Sequence, residues 1–188
     1  MQIFSTAMLT AVLAMSPVTE ASAGGASFSC DFRQTLAKTW KLIGGKWEVK
    51  DGCLKQVDPG TDDPTKAVLV LGDGGPCAEV AITARLRIDV WNDGVYARAG
   101  VSVCSDSISG RVLNLVFHQG QLKFLHDYVA WGPGCPFAFS PGKWYWIKLS
   151  REAGTMHGKA WADGDREPAD WMITWQRPDE EKIGRAHV

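Results

Sequence analysis

Cationic and hydrogen-bonding side chains alternate with apolar residues along the chain, and they are the first candidates for ligand chemistry. Arg85 and Arg87 interleave with an apolar series over 80–90, and Arg98 lies in the next such series. A guanidinium group offers paired, planar donors that suit sugar hydroxyls, or the carboxylate or sulfate of an acidic glycan. The same alternation predicts that further polar residues share this polar sheet face, namely Tyr96, Asn114, His118 and Lys123.

Tryptophan rings supply the other half of such chemistry, because they stack on the apolar faces of sugar rings. The chain has nine Trp. Trp91 lies at a turn and Trp131 in a long loop over 128–141, so we expect both to be exposed and to bind ligand. The remaining tryptophans of interest are interpreted as core or sheet-edge residues, namely Trp47, Trp144, Trp161 and Trp171.

The sequence contains no recognisable catalytic motif. A glycoside hydrolase with its catalytic acids on one β-strand needs them closely spaced on one strand face, where they supply nucleophile and general acid. No such run of acids occurs in the sequence. Five acids lie in segments marked by Gly and Pro and are interpreted as solvated turn acids, namely Glu152, Asp163, Asp165, Glu167 and Asp170. No catalytic residue is therefore assigned. An enzyme that uses Arg98, His118 and a carboxylate in acid–base roles stays an alternative.

No cofactor or metal site is assigned, with calcium kept as an open alternative. Calcium prefers oxygen ligands, which loops rich in Asp and Asn supply. Two loops have this composition, one with Asp58, Asp62 and Asp63 and one with Asn92 and Asp93.

Residues 1–23 are predicted to be a signal peptide. An apolar run from Ile3 to Met15 is followed by Ala21-Ser22-Ala23, a small-x-small cleavage pattern, and the run is too short to span a bilayer. We expect a secreted, periplasmic or extracellular protein with no membrane span. Disulfides are the default in such compartments, and the cysteines, which form no C-x-x-C pair, leave the pairing open: Cys30, Cys53, Cys77, Cys104 and Cys135.

Charge and periodicity define the expected fold and exclude one class of partner. Twenty Lys and Arg against 21 Asp and Glu give a net charge of −1, which argues against nucleic-acid binding. Period-two alternation predicts nine or ten short strands. Turns at 51–52, 119–120 and 152–154 predict hairpins, and a fourth hairpin would pair 80–90 with 95–103. The expected fold is all-β, an antiparallel two-sheet β-sandwich of the jelly-roll type.

Two stretches resemble the concanavalin A-like lectin/glucanase superfamily. One is Gly-Lys-Trp-Glu-Val at 45–49 followed by Asp51-Gly52, and the other runs from Gly142-Lys143-Trp144 into Gly158-Lys159-Ala160-Trp161. The similarity is to laminin-G-like modules and to domains labelled 3-keto-disaccharide hydrolases. It implies two antiparallel sheets whose concave face holds carbohydrate, a rim calcium in some members, and a final strand that pairs beside the N-terminal one.

The resemblance sets the expected domain organisation. Residues 24–182 are assigned to the concanavalin A-like sandwich. Residues 183–188 look like a translated sequencing adapter, so we expect a non-native tail and a domain that lacks its C-terminal strand. The leading hypothesis is a secreted module that binds carbohydrate or polysaccharide on a polar sheet face. The alternatives are a glycoside- or polysaccharide-cleaving enzyme of the same fold, and a structural or adhesion domain without a small ligand.

Overall fold

A computed structural model of the chain describes residues 8–12, 29–33, 40–58, 66–69, 79–91, 97–103, 113–126 and 130–176. Within these ranges the backbone forms β-strands and no helix. The strands are Met8–Val12 (β1), Trp40–Ile43 (β2), Lys46–Lys50 (β3), Cys53–Asp58 (β4), Lys66–Leu69 (β5), Val80–Val90 (β6), Ala99–Val103 (β7), Leu113–His118 (β8), Gln121–His126 (β9), Ala130–Pro136 (β10), Trp144–Glu152 (β11), Thr155–Ala162 (β12) and Ile173–Gln176 (β13).

The strands form two principal antiparallel sheets, as the all-β sandwich prediction requires. A seven-stranded sheet has the order β13-β12-β11-β6-β1-β4-β3, and a four-stranded sheet has the order β10-β9-β8-β7. Strands β2 and β5 form a separate two-stranded ribbon. Among the described residues there is no helix with the length and apolar character that a membrane span requires.

Three of the predicted hairpins are confirmed. β3 pairs with β4, β8 with β9, and β11 with β12. The first turn uses Asp51 at φ 55 and Gly52 at φ 68, the positive values that a two-residue hairpin loop needs. The second turn repeats this with Gln119 at φ 47 and Gly120 at φ 72. Turn chemistry in the sequence was therefore sufficient to define these local pairings.

The prediction of a fourth hairpin, between residues 80–90 and 95–103, is wrong. β6 belongs to the seven-stranded sheet, whereas β7 is an edge strand of the four-stranded sheet. The chain crosses from one sheet to the other between these strands. Both strands still bury one face, because the two sheets share a single core. The loop expected over 128–141 is also wrong in part, since it contains strand β10.

The core lies between the two sheets and is filled by one face of β6, β7, β8, β9, β11, β12 and β13. In β6 the buried side chains are Ala84, Leu86 and Ile88, which confirms the predicted alternation. Gly158 of β12 sets how closely the sheets approach, since a Cβ at this position would lie 2.8 Å from a methyl carbon of Leu115 in β8. Residue size thus limits the separation of the sheets at this point.

Strand β1 lies inside the seven-stranded sheet, between β6 and β4. Its backbone pairs antiparallel with β6 over Met8–Val12 and with β4 at Thr10 and Ala11. These residues fall within the predicted signal peptide, which stays a prediction. Cleavage after Ala23 would remove β1 and leave β4 and β6 without the strand that joins them.

Candidate functional site

The predicted ligand-binding residues do not form one surface. Arg85 and Arg87 lie on the outer face of the seven-stranded sheet, opposite the buried face of β6. The others belong to or flank the four-stranded sheet, where Arg98 immediately precedes β7: Arg98, Asn114, His118, Lys123 and Trp131. The outer faces of a two-sheet sandwich point in opposite directions, so the predicted single polar face is wrong. Tyr96 lies outside the described residues.

Asn114 is a structural residue of the four-stranded sheet. Its side chain is 3% exposed. The amide Nδ2 donates to the carbonyl of Leu125 at 2.9 Å, and Oδ1 accepts from the hydroxyl of Ser102 at 2.6 Å. Both ends of the amide therefore have partners within the sheet, and neither is directed at a ligand.

His118 is also buried, beneath the ring of Trp131. The two rings stack with centroids 4.3 Å apart, and Nδ1 of His118 lies 2.9 Å from the carbonyl oxygen of Ala97. Trp131 is 40% exposed, as expected, and the ammonium of Lys123 lies 5.1 Å from its ring centroid. Among the described residues, this outer face presents the ring of Trp131 and the ammonium of Lys123. Trp91, in contrast, is only partly exposed and packs edge-on against Phe139 beside the core, with ring centroids 4.7 Å apart.

The outer face of the seven-stranded sheet carries a denser group of aromatic and charged side chains. Trp144 of β11 lies opposite Arg87 of β6, and Trp146 lies opposite Arg85. Trp161 of β12 pairs with Trp146. We call this surface the tryptophan face and define it by Trp144, Trp146, Trp161 and Trp171, with the charged residues that contact their rings.

At one end of the tryptophan face, two guanidinium groups lie over one ring. The Cζ atoms of Arg85 and Arg87 are 4.4 and 5.0 Å from the ring centroid of Trp144. Arg87 also forms two hydrogen bonds with Asp89, at 2.5 and 3.1 Å. The hydrogen bond to Asp89 raises the pKa of Arg87, so this guanidinium is cationic throughout the physiological range.

The centre of the face is organised by Asp163, which follows β12. Its carboxylate accepts from Nε and Nη2 of Arg85 at 3.0 and 2.5 Å and from Nε1 of Trp146 at 3.0 Å. The rings of Trp146 and Trp161 are nearly parallel, with centroids 6.1 Å apart. The hydrogen bond from Arg85 lowers the pKa of Asp163, and the bond from Trp146 adds to this effect despite partial burial.

At the other end, Glu167 holds two lysines beside Trp171. The carboxylate lies 3.0 Å from Nζ of Lys148 and 2.8 Å from Nζ of Lys159. The Lys159 side chain is 7% exposed, and its ammonium lies 4.8 Å from the ring centroid of Trp171. Burial alone would raise the pKa of Glu167, but the hydrogen bonds and charges of the two lysines outweigh burial and lower it.

The sequence interpretation missed these tryptophans, although the sequence contained a signal for them. In β11 the buried residues are Tyr145, Ile147 and Leu149, so Trp144 and Trp146 share the opposite face with Lys148. A tryptophan that alternates with an aliphatic series and falls in step with a lysine is an outer-face residue. Tryptophan is usually a core residue, and that general tendency points to the opposite face from the one that the two-residue alternation indicates. Asp163 and Glu167, interpreted as solvated turn acids, are bound to the cations of this face.

Metal and disulfide chemistry have little support in the described part of the chain. Its His, Cys, Asp and Glu side chains form no group of three or more that could hold a metal ion. Most of the suggested calcium ligands, including Asp62 and Asp93, lie outside the described residues. The thiols of Cys30, Cys53 and Cys135 are free, and the other two cysteines are not described.

No protein-family model, curated protein or solved structure matches this chain. The superfamily resemblance therefore stays a prediction.

Proposed function

We propose that the protein binds carbohydrate through the tryptophan face. The observation that carries this proposal is the row of partly exposed rings on one sheet face, Trp144, Trp146, Trp161 and Trp171. Flat rings give a sugar an apolar stacking surface, and polar groups at their edges fix its orientation. Arg85 and Asp163 supply donors and acceptors at the ring edges.

The dimensions of the face suit an extended glycan chain. Trp171 contacts Lys159 and His157, which pair with Lys148 and Ser150 of β11. Trp144 lies four to six residues before those positions on the same strand, so the rings span about 13–20 Å along the strand direction. A surface of this length contacts several consecutive sugar rings rather than one.

Binding is better supported than hydrolysis. A general acid must carry a proton at the working pH, which requires a raised carboxyl pKa. The pKa values of Asp163 and Glu167 are both lowered, so both groups are ionised at neutral pH. His118, the other residue considered for acid–base chemistry, is buried beneath Trp131.

We further propose that the sandwich is of the concanavalin A-like jelly-roll type. The support is an antiparallel sheet in which β12, β11 and β6 lie side by side. This sheet packs on the four-stranded sheet. An experimental structure with a different strand order would contradict this assignment.

The matched variants Trp161→Ala and Trp131→Ala test the function. Each removes one partly exposed ring, the first from the tryptophan face and the second from the opposite sheet. We expect Trp161→Ala to weaken binding to polysaccharide by about 5- to 30-fold, since stacking and area burial on one large ring amount to about 1–2 kcal/mol. Trp131→Ala should bind as the wild type does. Affinity gel electrophoresis on a panel of soluble polysaccharides measures both effects.

Circular dichroism and thermal melting serve as fold controls for both variants. If Trp131→Ala loses binding and Trp161→Ala keeps it, the site lies on the four-stranded sheet and the tryptophan face is not the ligand surface. Retention of full affinity in both variants would equally contradict the proposal. A wild-type protein that binds no polysaccharide would favour the structural or adhesion alternative.

A further inference from the structure

We propose that the tryptophan face selects neutral polysaccharides and excludes acidic ones, because each cation around its rings is already paired with one of the protein's own carboxylates. This inference rests on the proposed function and names its substrate class. The sequence interpretation allowed the arginines to bind a carboxylate or sulfate of the ligand. The ion pairs of the folded protein argue against that role.

The two arginines are engaged in bidentate pairs. Asp163 accepts two hydrogen bonds from Arg85, and Asp89 accepts two from Arg87. Planar, paired contacts of this kind are the geometry in which a guanidinium binds a carboxylate most favourably. An acidic sugar would have to displace an intramolecular carboxylate to obtain the same contacts.

The two lysines at the other end share one carboxylate oxygen. Glu167 contacts Nζ of both Lys148 and Lys159. Lys159 also donates to the carbonyl of Pro168 at 2.7 Å, and its side chain is almost fully buried. This ammonium is therefore directed into the protein, and a ligand on the surface cannot reach it.

The carboxylates also compete with a charged ligand. The lowered pKa values of Asp163 and Glu167 keep both groups negative at neutral pH, so a uronate or sulfate has to displace an ionised carboxylate from its cation. A neutral sugar requires no such exchange. A hydroxyl group of the sugar can donate to the remaining lone pair on Oδ2 of Asp163 while the sugar ring stacks on Trp161 or Trp146.

Asp163→Asn isolates this effect. The amide keeps the size of the side chain and an acceptor oxygen for Trp146, but it leaves Arg85 without a charged partner. Asp165→Asn is the matched control, since it removes the same charge from an exposed position in the same turn. We expect Asp163→Asn to gain binding to acidic glycans by roughly fivefold, the ratio that corresponds to one partly exposed ion pair, with loss of that gain at high salt.

Affinity gel electrophoresis tests the inference with neutral probes (mixed-linkage β-glucan, galactomannan and arabinoxylan) and acidic probes (polygalacturonate and chondroitin sulfate). The expected result is retardation of the wild type by at least one neutral probe and by no acidic probe, with acidic binding gained by Asp163→Asn and not by Asp165→Asn. Wild-type retardation by an acidic probe would overturn the selectivity and leave carbohydrate binding standing. No retardation by any probe would overturn both proposals. The wild-type selectivity decides the question even if Asp163→Asn does not fold.

Discussion

Lys159 illustrates how one buried ammonium constrains the residues around it. Its Nζ lies between the carboxylate of Glu167, the carbonyl of Pro168 and the ring of Trp171. A buried cation without an anion is costly, whereas the same cation in an ion pair with further hydrogen bonds is tolerated. The position of Glu167 is therefore a structural requirement of the tryptophan face.

Glu167→Gln tests this requirement. The variant keeps an oxygen acceptor but removes the charge opposite Lys148 and Lys159, so we expect a loss of about 1–2 kcal/mol in the free energy of unfolding. The figure is reduced because the Glu167 side chain is 40% exposed. Urea denaturation at neutral pH measures it. A variant as stable as the wild type would contradict this account of Lys159.

The same variant should alter the pH dependence of stability. The pKa of Glu167 is lowered in the folded state, so the unfolded chain takes up its proton first as the pH falls. Its contribution is complete above the ordinary glutamate pKa of about 4.3 and is lost as the pH falls through the lower folded value. We expect a steeper loss in the wild type than in Glu167→Gln below that pH. Parallel stability curves would show that the lysines do not act on this carboxyl.

Residue type alone did not reveal which polar groups reach a ligand. The alternation placed Asn114 and His118 on the outer face of their sheet, and the register confirms that side. Both are nevertheless buried, because Asn114 bonds across strands and His118 lies beneath Trp131. Period two determines the face of a residue but not whether a neighbouring side chain covers it.

At the scale of the strand, local signals predicted pairings across short turns and failed across a sheet crossing. The turns at Gly52, Gly120 and Gly154 fixed three hairpins because positive φ is a local property. The apolar faces of β6 and β7 look the same whether the strands are neighbours or belong to opposing sheets, since both bury one face in the same core. A hairpin between β6 and β7 would place Arg98 beside Arg85 and Arg87, whereas the sheet crossing separates them.

Removal of residues 1–23 tests the role of β1 and the predicted processing together. β4 and β6 are joined through β1, and its loss leaves two rows of unpaired backbone donors and acceptors. We expect the shortened chain to unfold at lower temperature than the full chain and to regain stability when a peptide containing Met8–Val12 is added. Differential scanning fluorimetry, with a scrambled peptide as control, measures both. Equal melting temperatures for the two chains would show that β1 does not support the sheet.

At the scale of the whole molecule, Gly158→Ala tests how tightly the two sheets are packed. Alanine favours an ordered strand over glycine by about 0.5–1 kcal/mol, but its Cβ would lie 2.8 Å from Leu115, a fully buried residue. Overpacking of this kind costs about 1–3 kcal/mol, so we expect net destabilisation. Chemical denaturation of Gly158→Ala, Leu115→Val and the double variant provides the measurement. Destabilisation of the double variant should be less than the sum of the two single changes; simple additivity would contradict the contact.

The arrangement of the sandwich explains why the predicted ligand-binding residues do not share one polar face. Two sheets with a common core expose two outer faces on opposite sides, and the predicted residues are divided between them. One face presents Trp131 and Lys123, and the other presents four tryptophans with paired charges. Sequence patterning separated inside from outside in strands such as β6 but misplaced several tryptophans, and the choice of outer face depended on long-range pairing that a local pattern does not encode.

The neighbours of β6 have a consequence for synthesis of the protein. β1 lies many residues before β6 in the sequence. β11 follows β6 only after all four strands of the four-stranded sheet, β7 to β10. Pairings so distant along the chain form slowly, because long loops must close before the contacts stabilise them. On the ribosome, the backbone groups of β6 that pair with β11 therefore stay without that partner until Trp144–Glu152 has been synthesised. During that interval, nascent chains at high local concentration are most prone to associate with one another.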